Sequence, residues 1–530
     1  MHSVLDPSPT IAGAQRRQVE SRDPATGEVW RRFPSPTATE VAESIQRARA
    51  AQPAWRALST KARARSIRNF HRVLYRRRWE VAELIERENG KPAAEAMLAE
   101  VLVVLGIARY YARVATKVLR ARTIRPKDPA LIRKQVRVEH APYGVVGVIS
   151  PWNYPLQLAA GVVLPALAAG NAVILKPSEY TPSSGALLGD MLVEAGVPRE
   201  IIQVVPGDGV VGAALIEGGV DKVFFTGSSA TGQRVALACA ARMIPCVLEL
   251  GGSDPAIVLD DAHIDMAVRG LVWARFSNAG QTCVAPKRLF VHAQIYDEFL
   301  ARLTSAVTAL RVAPPSSRAC DVGPLIRPWQ AEHLQAQLAE ATARGARVVG
   351  SGTRDDLLPE GFFAPTVLAG VTADMRVMRE ESFGPLLPVM KFSSDDEAVM
   401  LANDTSFGLS ASVWTRDVAR GRAIAARLDV GSVVINDANV NAAISEAPHG
   451  GVKGSGTGRS HGHEGLLECV RTKTVITDVL SGWGEPWWFD SAERRDDLDA
   501  FARFAHGRSL SERISGMSRA LRMFLRARKG

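Results

Sequence analysis

The chain has 530 residues, 46% of them hydrophobic and 23% charged, which describes a soluble globular protein of two or three lobes and excludes a disordered or fibrous one. Five cysteines (Cys239, Cys246, Cys283, Cys320 and Cys469), odd in number and without Cys-x-x-Cys spacing, argue against a disulfide framework or a structural zinc site and fit a reducing cytoplasm. The formal net charge is +10, but residues 501–530 hold eight Lys/Arg against Glu512 alone, so the body of the chain offers no electrostatic case for nucleic acid.

The opening stretch MHSVLDPSPTIAGAQRR lacks the apolar core of a secretory leader, and residues 1–20 read as a mobile arm. RDPATGEVWRRF carries turn signals between short β-like pieces. From Thr37 to Leu119 the pattern is helical, with Thr37 and Thr39 as candidate caps. RKQVRVEHAPYGVVGVIS (133–150) alternates and is rich in valine, as strands are. The uncharged run LQLAAGVVLPALAAGNAVIL (156–175) imitates a membrane span. Pro165 in mid-run, the helix stop at Gly170-Asn171 and the β-rich AVILK resolve it into a buried helix followed by a buried parallel strand.

Between 143 and about 258 the chain repeats strand, turn and helix, through GVVGVIS, AVILKPSEYTP, IIQVVPG and KVFFTGSSATG. A second such region runs from about 262 to 440, with KRLFVHAQ, ARVVGSG, LLPVMKF and GSVVIND as strands. This alternation predicts an α/β fold of parallel sheets covered on both faces. The last fifty residues change character. On a helix drawn from Leu510, the side chains Leu510, Ile514, Met517, Leu521, Phe524 and Leu525 share one face and Arg519, Arg522 and Arg526 oppose them. Such a helix either packs on its own oligomer or lies on an anionic membrane surface, and Gly516 weakens it.

Two glycine-rich turns compete as anion cradles. GDGVVG (207–212) matches G-x-G-x-x-G, but no Asp or Glu lies between Asp221 and Glu249, where the dinucleotide fingerprint wants one. FFTGSSATG (224–232) is the better candidate, since Gly227-Ser228-Ser229 opens a helix at a strand end and points N–H groups at a bound anion. A plain strand-to-helix turn capped by serine explains it equally well.

SPWNYP (150–155), LELGG (248–252), GQTC (280–283) and EESFGP (380–385) decide the matter jointly. In this order and spacing, with GNAVILKPSE, FTGS, GPLI, APTVL, FGLSASVW and HGGVKGSGTGR, they closely resemble the aldehyde dehydrogenase superfamily, from RDPATGE to VRTKTV. Within it the likeness is to bacterial succinic semialdehyde and general aldehyde dehydrogenases. The resemblance implies a Rossmann-like cofactor domain (21–132 and 148–258), an α/β catalytic domain (259–445) and a small β-extension (133–147 and 460–480) that pairs between subunits of a homodimer or homotetramer, leaving 481–530 as a basic tail.

It also implies chemistry. A cysteine thiolate adds to the aldehyde, hydride leaves the thiohemiacetal for a nicotinamide, and water hydrolyses the resulting thioester. By resemblance Cys283 is the nucleophile, Asn153 the oxyanion donor and Glu249 the general base that activates water. The cofactor set implied in the same way is Ser150, Pro151, Trp152, Lys176, Ser178, Glu179, Gly209, Thr226, Gly227, Ser228, Gly232, Leu250, Glu381 and Phe383. Glu179 near the adenosine ribose leans towards NAD over NADP, with NADP still accepted by some members. No metal site is expected; His461 and His463 of SHGHEG read as part of a glycine-rich loop, and His449 stands where the family commonly has an aromatic residue.

Semialdehyde-specific members place arginines where this chain has Ser277 and Gly161, which points instead to a bulky or apolar aldehyde. The alternatives are a succinic semialdehyde dehydrogenase, or a catalytically idle scaffold with a membrane-surface tail.

Overall fold

The structure, a computed structural model, describes residues 17–359, 361–480 and 494–526. It divides into two compact units, Met1–Val118 with Pro142–Val470 and Leu119–Ala141 with Arg471–Gly530.

The first unit contains two large sheets. One has six strands in the order Gly456–Thr457, Cys246–Glu249, Lys222–Thr226, Val145–Ile149, Ala172–Lys176 and Ile202–Val204. All are parallel except Gly456–Thr457. Val145–Ile149 and Ala172–Lys176 are buried throughout, which is why they read as unbroken apolar runs. The helix Gln157–Ala169 between them is buried at nearly every position and ends at Gly170 with φ 101°, as the sequence anticipates. After Ile202–Val204 the chain crosses back to Lys222–Thr226, on the other side of Val145–Ile149. That reversal opens a crevice at the strand C-termini, the place where open α/β sheets bind ligands.

The other sheet has seven strands in the order Arg347–Ser351, Thr366–Ala369, Leu386–Phe392, Pro286–His292, Asp254–Val258, Ser410–Trp414 and Ser432–Ile435, and only Arg347–Ser351 runs antiparallel. Asp254–Val258, placed by the sequence with the first domain, pairs here instead. Strands Asp254–Val258, Thr366–Ala369 and Ser410–Trp414 were not among the expected ones. Each has four or five residues, buried at every position, so none shows alternation.

Two further boundaries shift. Residues 18–20, expected in a mobile arm, belong to strand Gln18–Arg22, which pairs antiparallel with Val29–Pro34 and buries Ser21 against Glu88 and Ser183; residues 1–16 lie outside the described residues. The small extension comprises Lys134–Pro142, Arg122–Ile124 and Val470–Asp478. It therefore omits 143–147, which lead into the core strand of the first sheet, and 460–469, which include helix Gly462–Leu467.

The second unit holds that three-stranded sheet and two helices, Arg494–His506 and Leu510–Arg526. Arg519 binds Asp497 at 2.7 Å and Asp496 at 3.2 Å, and Phe524 packs on Phe501. Gly516, expected to weaken its helix, is instead the close crossing point: a Cβ there would sit 2.2 Å from the carbonyl oxygen of Ala500. Leu510, Ile514, Met517, Leu521 and Leu525 form an exposed stripe, whereas Phe524 turns inward. The side chain of Arg526 and residues 481–493 lie outside the described residues.

Candidate active site

The five parallel strands of the six-stranded sheet each deliver candidate residues from their C-termini. Val145–Ile149 runs into Ser150, Pro151, Trp152 and Asn153. Ala172–Lys176 presents Lys176, Ser178 and Glu179. Ile202–Val204 leads to Asp208, which caps helix Gly209–Glu217 by accepting from the N–H of Val210 at 2.9 Å. Lys222–Thr226 leads through Gly227 to Ser228, the N-cap of helix Ser229–Ala240. Cys246–Glu249 ends on Glu249, whose carbonyl accepts from the Gly227 N–H at 3.0 Å.

These residues fit a dinucleotide. Lys176 is buried, donates to the Gly207 carbonyl at 2.7 Å and stands 3.7 Å from the half-open Glu179 carboxylate. Ser228 caps helix Ser229–Ala240, whose N-terminal end carries the partial positive charge that attracts an anion. A Cβ on Gly209 would meet nothing within 4 Å, whereas one on Gly232 would strike Leu250 at 2.3 Å. Gly209 thus borders open space and Gly232 is a packing glycine against Leu250. Trp152 and Phe383 meet edge to face at 5.4 Å, and Glu381 accepts from the Gly252 N–H at 3.0 Å.

Cys283 lies just ahead of strand Pro286–His292, on a loop under conformational strain. Asn278, Ala279 and Gly280 all have positive φ (51°, 52° and 72°), and a Cβ at Gly280 would lie 2.5 Å from the Gly384 carbonyl. Three contacts hold this loop to SPWNYP. Asn153 Nδ2 donates to the Gln281 carbonyl at 3.0 Å, Asn278 Nδ2 to the Asn153 carbonyl at 2.8 Å, and Tyr154 and Thr282 share a hydroxyl hydrogen bond at 2.8 Å. One of the two amide hydrogens of Asn153 is thereby used, and the other has no acceptor among the described residues.

Lys287, which sequence reasoning missed, donates to the carbonyls of Cys283 at 2.6 Å and Thr282 at 3.0 Å and lies 3.7 Å from Glu381. Burial pushes the Cys283 thiol up to about 12, against the pull of the Lys287 charge. Glu249 is buried, and its Oε1 has no hydrogen-bond partner among the described residues.

Behind Asn153 stands a second missed feature. Lys91 and Glu100 form a fully buried ion pair at 2.8 Å. Lys91 donates to the Asn153 carbonyl at 2.7 Å, and Glu100 accepts from the N–H groups of Leu156 and Gln157. Glu100 sits in a π-turn, Met97–Val101, that breaks the helical register. Arg327 stacks over Tyr180 at 4.2 Å and Trp152 at 4.9 Å, adding a cation to the cofactor side. Only tertiary proximity reveals these partners. Ser277 caps the end of helix Ile264–Phe276, and Gly161 lies in helix Gln157–Ala169 facing His461.

A nucleotide-type crevice at a switch point, joined to a cysteine loop fed by a second parallel sheet, defines a two-domain oxidoreductase with a candidate thiol nucleophile. The chain belongs to the aldehyde dehydrogenase family, whose sequence profile matches residues 11–475. It is 39% identical over 503 residues to 4,4'-diapolycopene aldehyde oxidase of Methylomonas sp, covering 94% of both chains. Among solved structures it resembles succinate-semialdehyde dehydrogenase from Burkholderia pseudomallei (38% identity, TM-score 0.83, 87% of this chain and 95% of that one). It also resembles Mycobacterium tuberculosis aldehyde dehydrogenase complexed with NAD+ (36% identity, TM-score 0.82, 89% and 95%). The protein is therefore an NAD(P)-dependent oxidoreductase that acts on aldehydes. No described helix is long and apolar enough to cross a membrane.

Proposed function

We propose that Cys283 attacks the aldehyde carbonyl, that the spare amide hydrogen of Asn153 and the Cys283 backbone N–H hold the resulting oxyanion, and that Glu249 activates the water that releases free acid. The observation that carries this reading is the tying of Asn153 to the Cys283 loop by reciprocal hydrogen bonds. Lys287 supplies the positive charge that eases loss of the thiol proton. Bound NAD(P)+ supplies the hydride acceptor; Lys176, Glu179 and Ser228 would hold its adenosine and phosphate portions, and Glu381 and Phe383 its nicotinamide side. Glu179 favours NAD+, because a carboxylate accepts from ribose hydroxyls and repels a 2′-phosphate.

For the substrate we infer an apolar or bulky aldehyde. Ser277 and Gly161 offer no charge to a distal carboxylate, and the relative named for a carotenoid aldehyde supports the same direction. NADH and NADPH formation across short aliphatic, long aliphatic, aromatic, polyene and semialdehyde substrates tests this. Long apolar aldehydes with NAD+ are expected to exceed succinic semialdehyde by at least ~10²-fold in kcat/KM, since a site lacking a partner for a buried carboxylate rejects it strongly. Equal or higher kcat/KM for succinic semialdehyde overturns the assignment.

The exposed stripe of Leu510–Arg526 is read as a peripheral contact with an anionic bilayer, where such a substrate resides. Two things support this: the excess of arginine around the stripe, and an alignment with the carotenoid-aldehyde relative that spans 94% of the chain and so cannot end at Asp478. Ile514→Gln/Met517→Gln/Leu521→Gln is expected to lose sedimentation with phosphatidylglycerol vesicles, while the unaltered chain sediments with them and stays free of phosphatidylcholine ones. Equal sedimentation of both proteins ends the idea.

Val470–Asp478 is an edge strand with Ile476 exposed, a surface suited to pairing with a second copy as a homodimer or homotetramer in the cytoplasm. Light scattering is expected to give a mass of two or four chains; a monomer refutes it.

A further inference from the structure

Glu249 lines a small recess together with Gly161, Thr226, Arg459, Ser460 and Gly465, with room of about 10 Å³ for the centre of a water molecule. Four buried polar atoms in this neighbourhood lack a hydrogen-bond partner among the described residues: Glu249 Oε1, His449 Nδ1, His461 Nδ1 and the Tyr111 hydroxyl. Such atoms are ordinarily taken up by water, and these four lie around a recess that has room for one. The two imidazoles stand 5.9 Å apart between ring centroids, close enough for one water to bridge, and His461 Nε2 lies 3.5 Å from where Gly161 would carry a Cβ. A side chain at position 161 would press on this ring.

The backbone holds the pair deliberately. His449 and Ser460 exchange N–H···O bonds at 2.8 Å each, which sets His449 beside His461. His461 itself has φ 55° and ψ 177°, a region that side chains other than glycine's seldom occupy. That strain persists because the Gly465 N–H grips the His461 carbonyl at 2.7 Å and the Gly462 N–H binds the Ser445 carbonyl at 2.9 Å. Burial lowers both histidines, His461 to about 3; for His449 the nearby Glu249 carboxylate works against the lowering and the Arg459 guanidinium adds to it. Each imidazole is therefore neutral, with one nitrogen to donate and one to accept.

We propose that His449 and His461 form, with Glu249, a proton exit path used in the deacylation half of the reaction. This rests on the reading of Glu249 as the base for water. As the water oxygen bonds to the thioester carbonyl carbon, Glu249 takes one of its protons. The C–S bond then breaks and sulfur leaves with the electron pair as thiolate. The proton on Glu249 passes to the His449 nitrogen, onward to His461 and out to solvent, and Glu249 returns to carboxylate. His449 and His461 touch neither substrate carbon nor sulfur; they are relay residues.

His449→Phe removes the first relay nitrogen within an apolar ring. His461→Gly removes the second, relieves the strained φ and leaves space for a small molecule. In both variants stopped-flow NADH formation in the first turnover is expected to stay within about twofold of the unaltered enzyme, while steady-state turnover falls about tenfold or more. Intact-mass measurement should find the acylated chain accumulating. Added imidazole should restore His461→Gly and leave His449→Phe unrepaired. The relay is overturned by unchanged steady-state rates, by first turnover falling in parallel with steady state, or by no recovery of His461→Gly with imidazole. Absence of any NADH burst or turnover in the unaltered enzyme would instead defeat the underlying aldehyde-oxidising assignment of the site.

Discussion

Cys283→Ala is expected to lower acid formation by at least ~10⁴-fold, with no first-turnover burst of NADH and no acyl adduct on the chain. No other cysteine is placed to replace it. Cys239 and Cys469 are buried, the Cys320 thiol donates to the Ala313 carbonyl, and Cys246, whose thiol the Cys239 hydrogen bond lowers to about 7, starts strand Cys246–Glu249 at the end away from the crevice. The change removes only a sulfur from a loop held by Asn278, Gln281 and Lys287, so the fold should be retained. Melting temperature and quenching of protein fluorescence by NADH are the controls. A variant that keeps more than about one per cent of turnover with those controls intact would dismiss Cys283 as the nucleophile.

Glu249→Gln should separate the two halves of the reaction. The amide keeps the shape of the carboxylate and cannot take a proton from water, so one NADH per chain should form and further turnover should fall by ~10²–10⁴-fold. The stalled protein should carry the acyl group on Cys283, visible as a mass increase in the intact chain and lost after hydroxylamine treatment. If Glu249 served only to pack the end of strand Cys246–Glu249, first turnover and steady state would decline together, or neither would.

The centre of the cofactor sheet was legible because Val145–Ile149, Ala172–Lys176 and Lys222–Thr226 are five-residue strands, buried at nearly every position and followed by serine, proline or glycine at the turn, whereas Cys246–Glu249 and Gly456–Thr457 were not among the expected strands. The candidate residues were legible through the motifs that carry the resemblance: Asn153, Glu179 and Ser228 follow strand ends, Lys176 and Glu249 end their strands, and Cys283, Glu381 and Phe383 precede theirs. The Thr37 cap was readable too, and Glu40 completes it as a capping box. What the sequence withheld depends on contacts between distant segments. Lys91 reaches the Asn153 carbonyl across 62 positions, and nothing in GKPAAEAMLAE signals that its lysine and glutamate are buried together. Ala279 at φ 52° follows no residue preference; the tie between Asn278 and Asn153 imposes it. His461 read as part of a glycine-rich loop and His449 as a replacement for the family's usual aromatic residue, and only the bridge between His449 and Ser460 brings their rings together. The short strands of the second sheet were lost to length alone.

The raised pKa of the Cys283 thiol has a consequence for the enzyme at rest. Desolvation favours the neutral thiol over the thiolate, against the pull of the Lys287 charge, while the side chain itself stays partly open to the crevice. Electrophiles that consume thiolates can therefore reach this sulfur yet find it in its less reactive form. Protection of the idle nucleophile comes from its protonation state and not from a wall around it.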